Sequence, residues 1–356
     1  MKLKDLGFPE PPARLTDSND LAGFTIGRVT QEHRERYIVS DGEHEYDAEI
    51  TGNLRYTASS REDFPAVGDW VAMSVYDADQ ALIHKILPRT TILARQAVGQ
   101  TGEKQIISAN IDYAFIVQAI NNNFNINRLE RYLSICYSAG IEPILVLSKT
   151  DLVTVEETET AIMALEKRDR NINSILLSNV TREGLDQILG IMEKGKTYCV
   201  IGSSGVGKSS LINNLMEKEI LRTGEISSST NKGKHVTEHR ELILLGNGAI
   251  VIDTPGMKEL GMTDDANGIS TTFHDIEKLA VNCRFPDCTH VNESGCAVLK
   301  AIDKGTIDRD SYDNYIKMLR EQERFTTSVA EKHRRDKQFG KMLKNYYRDM
   351  KDQGQE

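Results

Sequence analysis

A chain of 356 residues with 39% hydrophobic and 27% charged residues has a globular composition and room for two or three domains. No run of eighteen apolar residues occurs, so a membrane-spanning helix is not expected. The start, "MKLKDLGFPEPPARLTDSND", lacks the apolar centre and small-residue cleavage site of a secretory signal, so a cytoplasmic protein without membrane partners is expected. The net charge of −9 would argue against nucleic acid, but it is unevenly spread. Residues 332–351 carry eight Lys/Arg against two Asp, a local +6 that leaves about −15 for the remainder. A basic tail on an acidic body can contact RNA locally while the body stays well solvated.

Residues 1–21 are polar and proline-containing and are expected to form a loose arm. Over 22–100 come five short β-like runs, "FTIGRVT", "RYIVSD", "YDAEIT", "DWVAMSVYD" and "ALIHKIL", separated by turn-rich pieces such as "SDGEHE" and "FPAVGD". That spacing predicts a small β-barrel, with the five-stranded OB fold the leading choice. Such barrels often bind oligonucleotides, although a fold alone does not establish that.

Over 101–268 the pattern becomes strand–helix alternation. "DYAFIVQAI" is a near-continuous apolar run, as a buried parallel strand requires. "INRLERYLSICYSAG" places Ile126, Leu129, Leu133 and Cys136 at helical spacing, with Gly140 at the helix end. "EPILVLS", "NINSILLSN", "KTYCVIG", "RELILLGNG" and "AIVIDTPG" read as further strands, with "ETETAIMALEKRD" and "GLDQILGIMEKG" as helices. An α/β domain with a mainly parallel sheet follows. Residues 269–356 are expected to be helical around a cysteine cluster and to end in the basic tail.

Gly202, Ser203, Ser204, Gly205, Val206, Gly207, Lys208 and Ser209 fit G-x-x-x-x-G-K-[ST] without a mismatch, after a strand and before an amphipathic helix that opens through Ser210. Glycines let the backbone wrap with its N–H groups inward, and the helix N-terminus adds partial positive charge, so the stretch predicts a phosphate-binding loop. Lys208 would reach the β/γ-phosphates and the Ser209 hydroxyl would coordinate Mg²⁺. In "VIDTPG", Asp253 ends a strand where a carboxylate can approach the magnesium through a water, and Gly256 can offer its N–H to the γ-phosphate. Between them, 224–241 is polar, rich in Gly and Ser and without hydrophobic periodicity, as a switch segment should be; Thr237 is its leading magnesium ligand.

"LSKTD" is the guanine-reading element. Asp151 can accept from both N1–H and the exocyclic amine of guanine, a pattern adenine does not offer. Ser148, Lys149 and Thr150 precede it, with Lys149 along the base plane or bracing the phosphate loop. Ser178, after the next strand, can bring a backbone N–H to the guanine carbonyl. The chain order is thus base, base, phosphate loop, switch, Mg²⁺, whereas an ordinary small GTPase begins with the phosphate loop. Joined ends and a new opening produce that order on an unchanged sheet, because domain termini often lie near each other. The sequence therefore predicts a circularly permuted GTPase using GTP/GDP.

Cys136 and Cys199 lie in apolar patterns and are expected in the core. "NCRFPDCTHVNESGCAV" supplies Cys283, Cys288, His290 and Cys296 within fourteen residues, a closed Cys₃His set suited to one structural Zn²⁺.

A β-barrel, a permuted GTPase and a zinc-binding helical segment together resemble the ribosome-small-subunit-dependent GTPase A family. "ANIDYAFIV", "NRLERYL", "GSSGVGKSSLIN", "DTPG" and "FPDCTHVNESGCAV" carry the resemblance over about residues 22–350. The resemblance implies a guanine nucleotide hydrolysed slowly alone and faster on the small ribosomal subunit and its rRNA, late in that subunit's maturation; a monomer is expected. Three departures stand out. The Asn that usually opens the guanine motif is Ser148, expected to weaken a bracing contact. The Gly-basic-His-Thr-Thr pattern appears as Gly233–Lys234–His235–Val236–Thr237. After "DTPG" stands Met257 rather than a Gln that orients water, so slow intrinsic hydrolysis is expected, with groups in trans supplying roughly 10³–10⁵-fold. The competing expectation is an RNA-binding factor that uses nucleotide without turnover.

Overall fold

The computed structural model describes residues 2–8, 21–33, 36–96, 104–121, 124–168, 174–223, 240–253, 267–327, 331 and 334. Five strands form a closed barrel: β1 (Thr25–His33), β2 (Arg36–Ser40), β3 (Glu45–Ile50), β4 (Trp70–Asp77) and β5 (Gln80–Ile86). Their order is β1-β2-β3-β5-β4, and β4 returns to pair with β1. A short helix, α1 (Gly52–Thr57), follows β3, and β3 runs parallel to β5. This is OB topology on the five expected strands. Alternation along each strand fills the barrel with Val29, Tyr37, Val39, Ala48, Val71, Met73 and Ile83.

A hairpin not foreseen from the sequence follows, β6 (Ile92–Gln96) with β7 (Lys104–Ala109), and the expected division at residue 100 falls between its two strands. The second layer comprises β8 (Tyr113–Ala119), α2 (Ile126–Ser138), β9 (Glu142–Ser148), α3 (Val155–Glu166), β10 (Ser174–Leu177), α4 (Leu185–Ile191), β11 (Thr197–Ile201), α5 (Lys208–Thr223), β12 (Glu241–Leu244) and β13 (Ile250–Asp253). Its sheet runs β10-β9-β8-β11-β13-β12, parallel except for β12. One face is covered by α2 and the C-terminal helices, the other by α4 and α5. The C-terminal part contains α6 (Asn267–Thr272), α7 (His274–Ala280), α8 (Ala297–Asp303) and a helix over 309–327, α9. Among the described residues no helix is long and apolar enough to cross a membrane.

The two layers share one sheet: β12 pairs antiparallel with β1 at Gln31 and Glu241. Arg240 strengthens that seam, donating to Glu32 Oε2 at 3.1 Å and to the Ile106 carbonyl at 3.2 Å. The start of the chain corrects the expected loose arm. Leu3–Leu6 forms a 3₁₀ turn, and Leu6 is buried against Trp70 and Leu87, because an apolar pair in an otherwise polar stretch finds the open end of the barrel. Residues 9–20 lie outside the described residues.

Arg28 fixes the junction from inside. Fully buried, it donates to the carbonyls of Leu6 (2.5 Å), Gly68 (3.2 Å) and Asn110 (3.0 Å), so its hydrogen bonds span the N-terminus, the barrel and the entrance to β8. Burial pulls its pKa down to about 10, opposed by Asp112 and Asp69. Beside it, Arg89 forks onto the buried Asp69 at 2.8 and 2.7 Å and donates to the carbonyls of Glu62 and Phe64. Burial pushes the Asp69 carboxyl up despite that partner. Breaking a buried pair on one side leaves an uncompensated charge worth about 3–5 kcal/mol. Arg89→Ala should therefore lower the thermal transition sharply, and adding Asp69→Asn should recover most of the loss. Calorimetry of both variants checks this.

Candidate functional site

The sequence-predicted phosphate loop sits where β11, in the centre of the parallel sheet, turns into α5. Gly202 (φ 148°) presses so close to the Val117 carbonyl that any Cβ would overlap it, and Gly207 adopts φ 101°. These two positions require glycine and carry it. Val206 is buried beneath the loop, while Ser204, Gly205, Ser209 and Ser210 are exposed. Lys208 Nζ donates to the Gly202 and Ser203 carbonyls, both at 2.8 Å. The ammonium therefore already lies over the loop, where a polyphosphate would replace those carbonyls as its partners. Asp253 ends β13, the neighbouring strand of β11. Burial raises its carboxyl pKa, Glu241 adds to the rise, and Lys208 opposes it, so Lys208 and Asp253 share one electrostatic environment.

The residues that the sequence predicts to read the base arrive from the ends of β9 and β10, on the same edge of the sheet. Ser148, fully buried, donates its hydroxyl to the Val206 carbonyl at 2.6 Å. The bracing contact expected to weaken with Ser148 is thus made, by a shorter side chain. Lys149 adopts φ 64° and starts the 3₁₀ turn Thr150–Leu152, which brings Asp151 to the surface. Thr150 Oγ1 is buried without a hydrogen-bond partner among the described residues. Ser178 donates its hydroxyl to Asp151 Oδ1 at 2.7 Å, which orients the carboxylate. Its backbone N–H, expected to meet the guanine carbonyl, is instead given to the Glu183 carbonyl at 3.1 Å.

Three further residues at the site, Asn179, Asn214 and Arg128, have no motif to announce them. Asn179 donates to the Gly207 carbonyl at 3.1 Å, and Asn214 of α5 donates back to the Asn179 carbonyl at 3.0 Å. Arg128 of α2 donates to the Ser203 hydroxyl at 3.0 Å. The only sequence signal for Asn179 is its place after Ser178; Arg128 lies 75 residues from its partner. Thr237 and Gly256 lie outside the described residues, as do His235, Val236, Met257 and most of the 224–241 segment.

Cys283, Cys288, His290 and Cys296 converge, with all four ligand atoms within 4.8 Å of one another. Cys283 and Cys296 Sγ are 3.8 Å apart, and His290 Nδ1 is 3.5 Å from each. A zinc tetrahedron with Zn–S of about 2.3 Å and Zn–N of about 2.0–2.1 Å has edges of about 3.8 and 3.5 Å, so the set fits that ion. Outer contacts hold the ligands: Ala297 N–H donates to Cys283 Sγ (3.3 Å), Leu299 N–H to Cys296 Sγ (3.4 Å), and the Tyr312 hydroxyl to the His290 carbonyl (2.7 Å). Cys136 and Cys199 are fully buried core residues, as expected.

Comparison with known proteins settles the family. The family model described as RsgA GTPase matches residues 86–263, half of the chain. Small ribosomal subunit biogenesis GTPase RsgA 2 of Lactiplantibacillus plantarum is 43% identical over 309 residues, covering 87% of this chain and 86% of its own. The chain belongs to the RsgA GTPase family. RsgA 1 of Bacteroides thetaiotaomicron is 37% identical, covering 95% of this chain and 94% of its own. A second model, described as a 50S ribosome-binding GTPase, matches 197–330. The fold likewise matches solved structures: YjeQ from Thermotoga maritima (TM-score 0.62, 24% identity, 84% of this chain and 98% of that one) and YloQ, titled a circularly permuted GTPase (TM-score 0.61, 24%, 86% and 98%). The family expected from the sequence is thus the family found. The architecture is an OB-like barrel with a permuted GTPase domain, and as a member of this family the protein is a GTP hydrolase.

The zinc geometry generates a test. Purified protein should contain about one zinc per chain by atomic emission. Cys296→Ala removes a buried ligand and should lose the metal and lower the thermal transition, because structural zinc contributes folding free energy on the order of 10 kcal/mol. A strong chelator should lower the transition of the wild-type chain in the same direction.

Proposed function

We propose that this GTPase acts in biogenesis of the small ribosomal subunit, that the subunit's rRNA stimulates its turnover, and that it works late in maturation as a monomeric switch in the cytoplasm. The observation that carries the reading is the convergence, on one edge of one sheet, of a phosphate loop with the Asp151–Ser178 pair. A site with those two halves accepts a guanine nucleotide triphosphate. The names of the relatives supply the ribosomal context.

In this reading the residues divide the work. The backbone of Gly202, Ser203, Ser204, Gly205, Val206 and Gly207, with Lys208 and Ser210, holds the phosphates. Asp151 reads the base, with Ser148, Lys149, Thr150 and Ser178 around it. Ser209, Asp253 and Thr237 are the residues that would hold Mg²⁺, which would supply positive charge against the charge developing on the phosphates. Gly256 would give its N–H to the γ-phosphate. Met257 offers no polar group to orient the attacking water, so an activating group must come from outside the chain. The division proposed is arm 1–21, barrel 22–100, GTPase domain 101–268, and zinc segment with basic tail 269–356, the last holding one structural Zn²⁺.

Turnover of GTP by purified protein, with and without isolated small subunits, tests this reading against that of a nucleotide-regulated RNA-binding factor. Stimulation of tenfold or more, confined to GTP and absent with ATP, is expected. Subunit binding without added turnover would favour the non-catalytic factor, and neither binding nor stimulation would remove the ribosome from the account.

A further inference from the structure

Helix α9 lies across α2 on the side away from the sheet. Its seat is a buried polar knot: Glu130 accepts from Arg168 (3.1 Å), Asn314 (2.6 Å) and Ser311 (3.2 Å). Between the two helices runs a cavity of about 390 Å³ that is outside the nucleotide site. It has room for a group of several heavy atoms, since a water's share of liquid volume is about 30 Å³. Every residue lining it is polar or charged, among them Asn125, Arg128 and Arg131 on one side and Asp313 and Lys317 on the other.

The charges in this groove are already sorted. Arg131 forks onto Glu321 at 2.7 and 2.6 Å, and Arg309 pairs with Asp313 at 3.4 Å, so both nearby carboxylates have cations of their own. Lys317 is exposed, and Arg320 and Arg324, three and seven residues on, continue the same face of α9 for about 10 Å. Beyond that stripe the sequence runs into 332–351, with its local charge of +6. Without an apolar pocket, the groove cannot take the aromatic or aliphatic anchor on which protein partners depend. A phosphate backbone needs none.

Arg128 makes the groove more than a surface. Its side chain lines the cavity and also donates to the hydroxyl of Ser203, the second residue of the phosphate loop. We propose that the groove between α2 and α9 seats a phosphodiester of RNA, and that Arg128 carries its occupancy to the phosphate loop through Ser203. The proposal rests on the ribosomal reading above. A charge-assisted bond from guanidinium to phosphate is about twice as strong as one to a neutral hydroxyl, so an arriving phosphate draws Arg128 away from Ser203. The loop is then free to settle on the nucleotide. By linkage, nucleotide that repositions Ser203 changes RNA affinity by the same factor.

The test uses full-length protein loaded with a non-hydrolysable GTP analogue, with small-subunit affinity measured over a series of salt concentrations. GTP turnover without subunits and at saturating subunit is measured alongside. Lys317→Glu should weaken subunit binding about tenfold and reduce the salt slope by about one or more. Turnover at saturation should stay near the wild-type value. Arg128→Ala releases the loop without RNA, so it should raise turnover in the absence of subunits about threefold or more and shrink the fold-stimulation by subunits. Ser203→Ala should reproduce that gain without weakening subunit binding, and it covers the case in which Arg128→Ala does not fold; thermal melts report folding of each variant. If wild-type protein binds subunits while Lys317→Glu keeps its affinity and salt slope, the groove is not an RNA seat. If Lys317→Glu weakens binding but Ser203→Ala keeps the subunit-free turnover and the full stimulation of the wild type, the coupling through Arg128 is wrong. Wild-type protein that binds no subunits would sink the ribosomal reading itself, which is a different outcome.

Discussion

The bond from the Ser148 hydroxyl to the Val206 carbonyl, 2.6 Å long and fully buried, is the contact on which the proposed nucleotide site depends. In this chain order the base-reading loops are made before the phosphate loop and joined to it only through two further sheet elements. Parallel pairing of β9, β8 and β11 sets the strands side by side, but strand pairing alone does not fix the loops beyond their ends. Ser148 does so for the first guanine loop, and Asn179 does so for the second by bonding the Gly207 carbonyl. Each bond is worth about 1 kcal/mol net, yet removing the donor leaves a buried carbonyl unpaired at about 1–3 kcal/mol. The proposed base and phosphate subsites are therefore held at one separation, which binding a whole nucleotide requires.

The permutation also decides what the proposed switch segment is attached to. The strand that follows 224–239 is β12, and β12 is where the parallel sheet meets the barrel at Gln31 and Glu241. Arg240 immediately before it is held by Glu32 of the barrel. The same junction is locked from below by Arg28 and by the Arg89–Asp69 pair, so the barrel does not swing freely against the sheet. A load on the barrel is then felt at the first residues of β12. On the opposite side, the zinc segment and α9 pack on α2, and α2 reaches the phosphate loop through Arg128. Both flanking parts touch the nucleotide site by a short chain of named contacts.

Much of this was legible in the sequence because the signals are local. The strands of the barrel alternate, the parallel strands are apolar throughout, and the phosphate loop and the Cys₃His set each lie in one short stretch. What was missed depends on tertiary placement. Ser148 was expected to weaken a brace, because residue type says nothing of how near the Val206 carbonyl lies. Ser178 was assigned its amide, while the fold gives that amide to Glu183 and uses the hydroxyl. Leu6 was read as part of a loose arm, since only the assembled barrel offers the cavity beside Trp70 that buries it. The β6–β7 hairpin escaped because the seven residues between its strands, 97–103, contain no Asn-Gly or Asp-Gly pair.

The central claim is that the loops ending β9 and β10 and the loop opening α5 form one guanine-nucleotide site. Displacement of a fluorescent GDP analogue by unlabelled GDP, ADP and XDP tests it most directly, in wild-type protein and in Asp151→Asn. The account predicts that GDP competes with wild-type protein at least a hundredfold better than ADP. It also predicts that Asp151→Asn loses GDP and gains XDP, because the asparagine amide can donate to the xanthine carbonyl that replaces the guanine amine. Equal displacement by GDP and ADP, or an unchanged preference in Asp151→Asn, would contradict it.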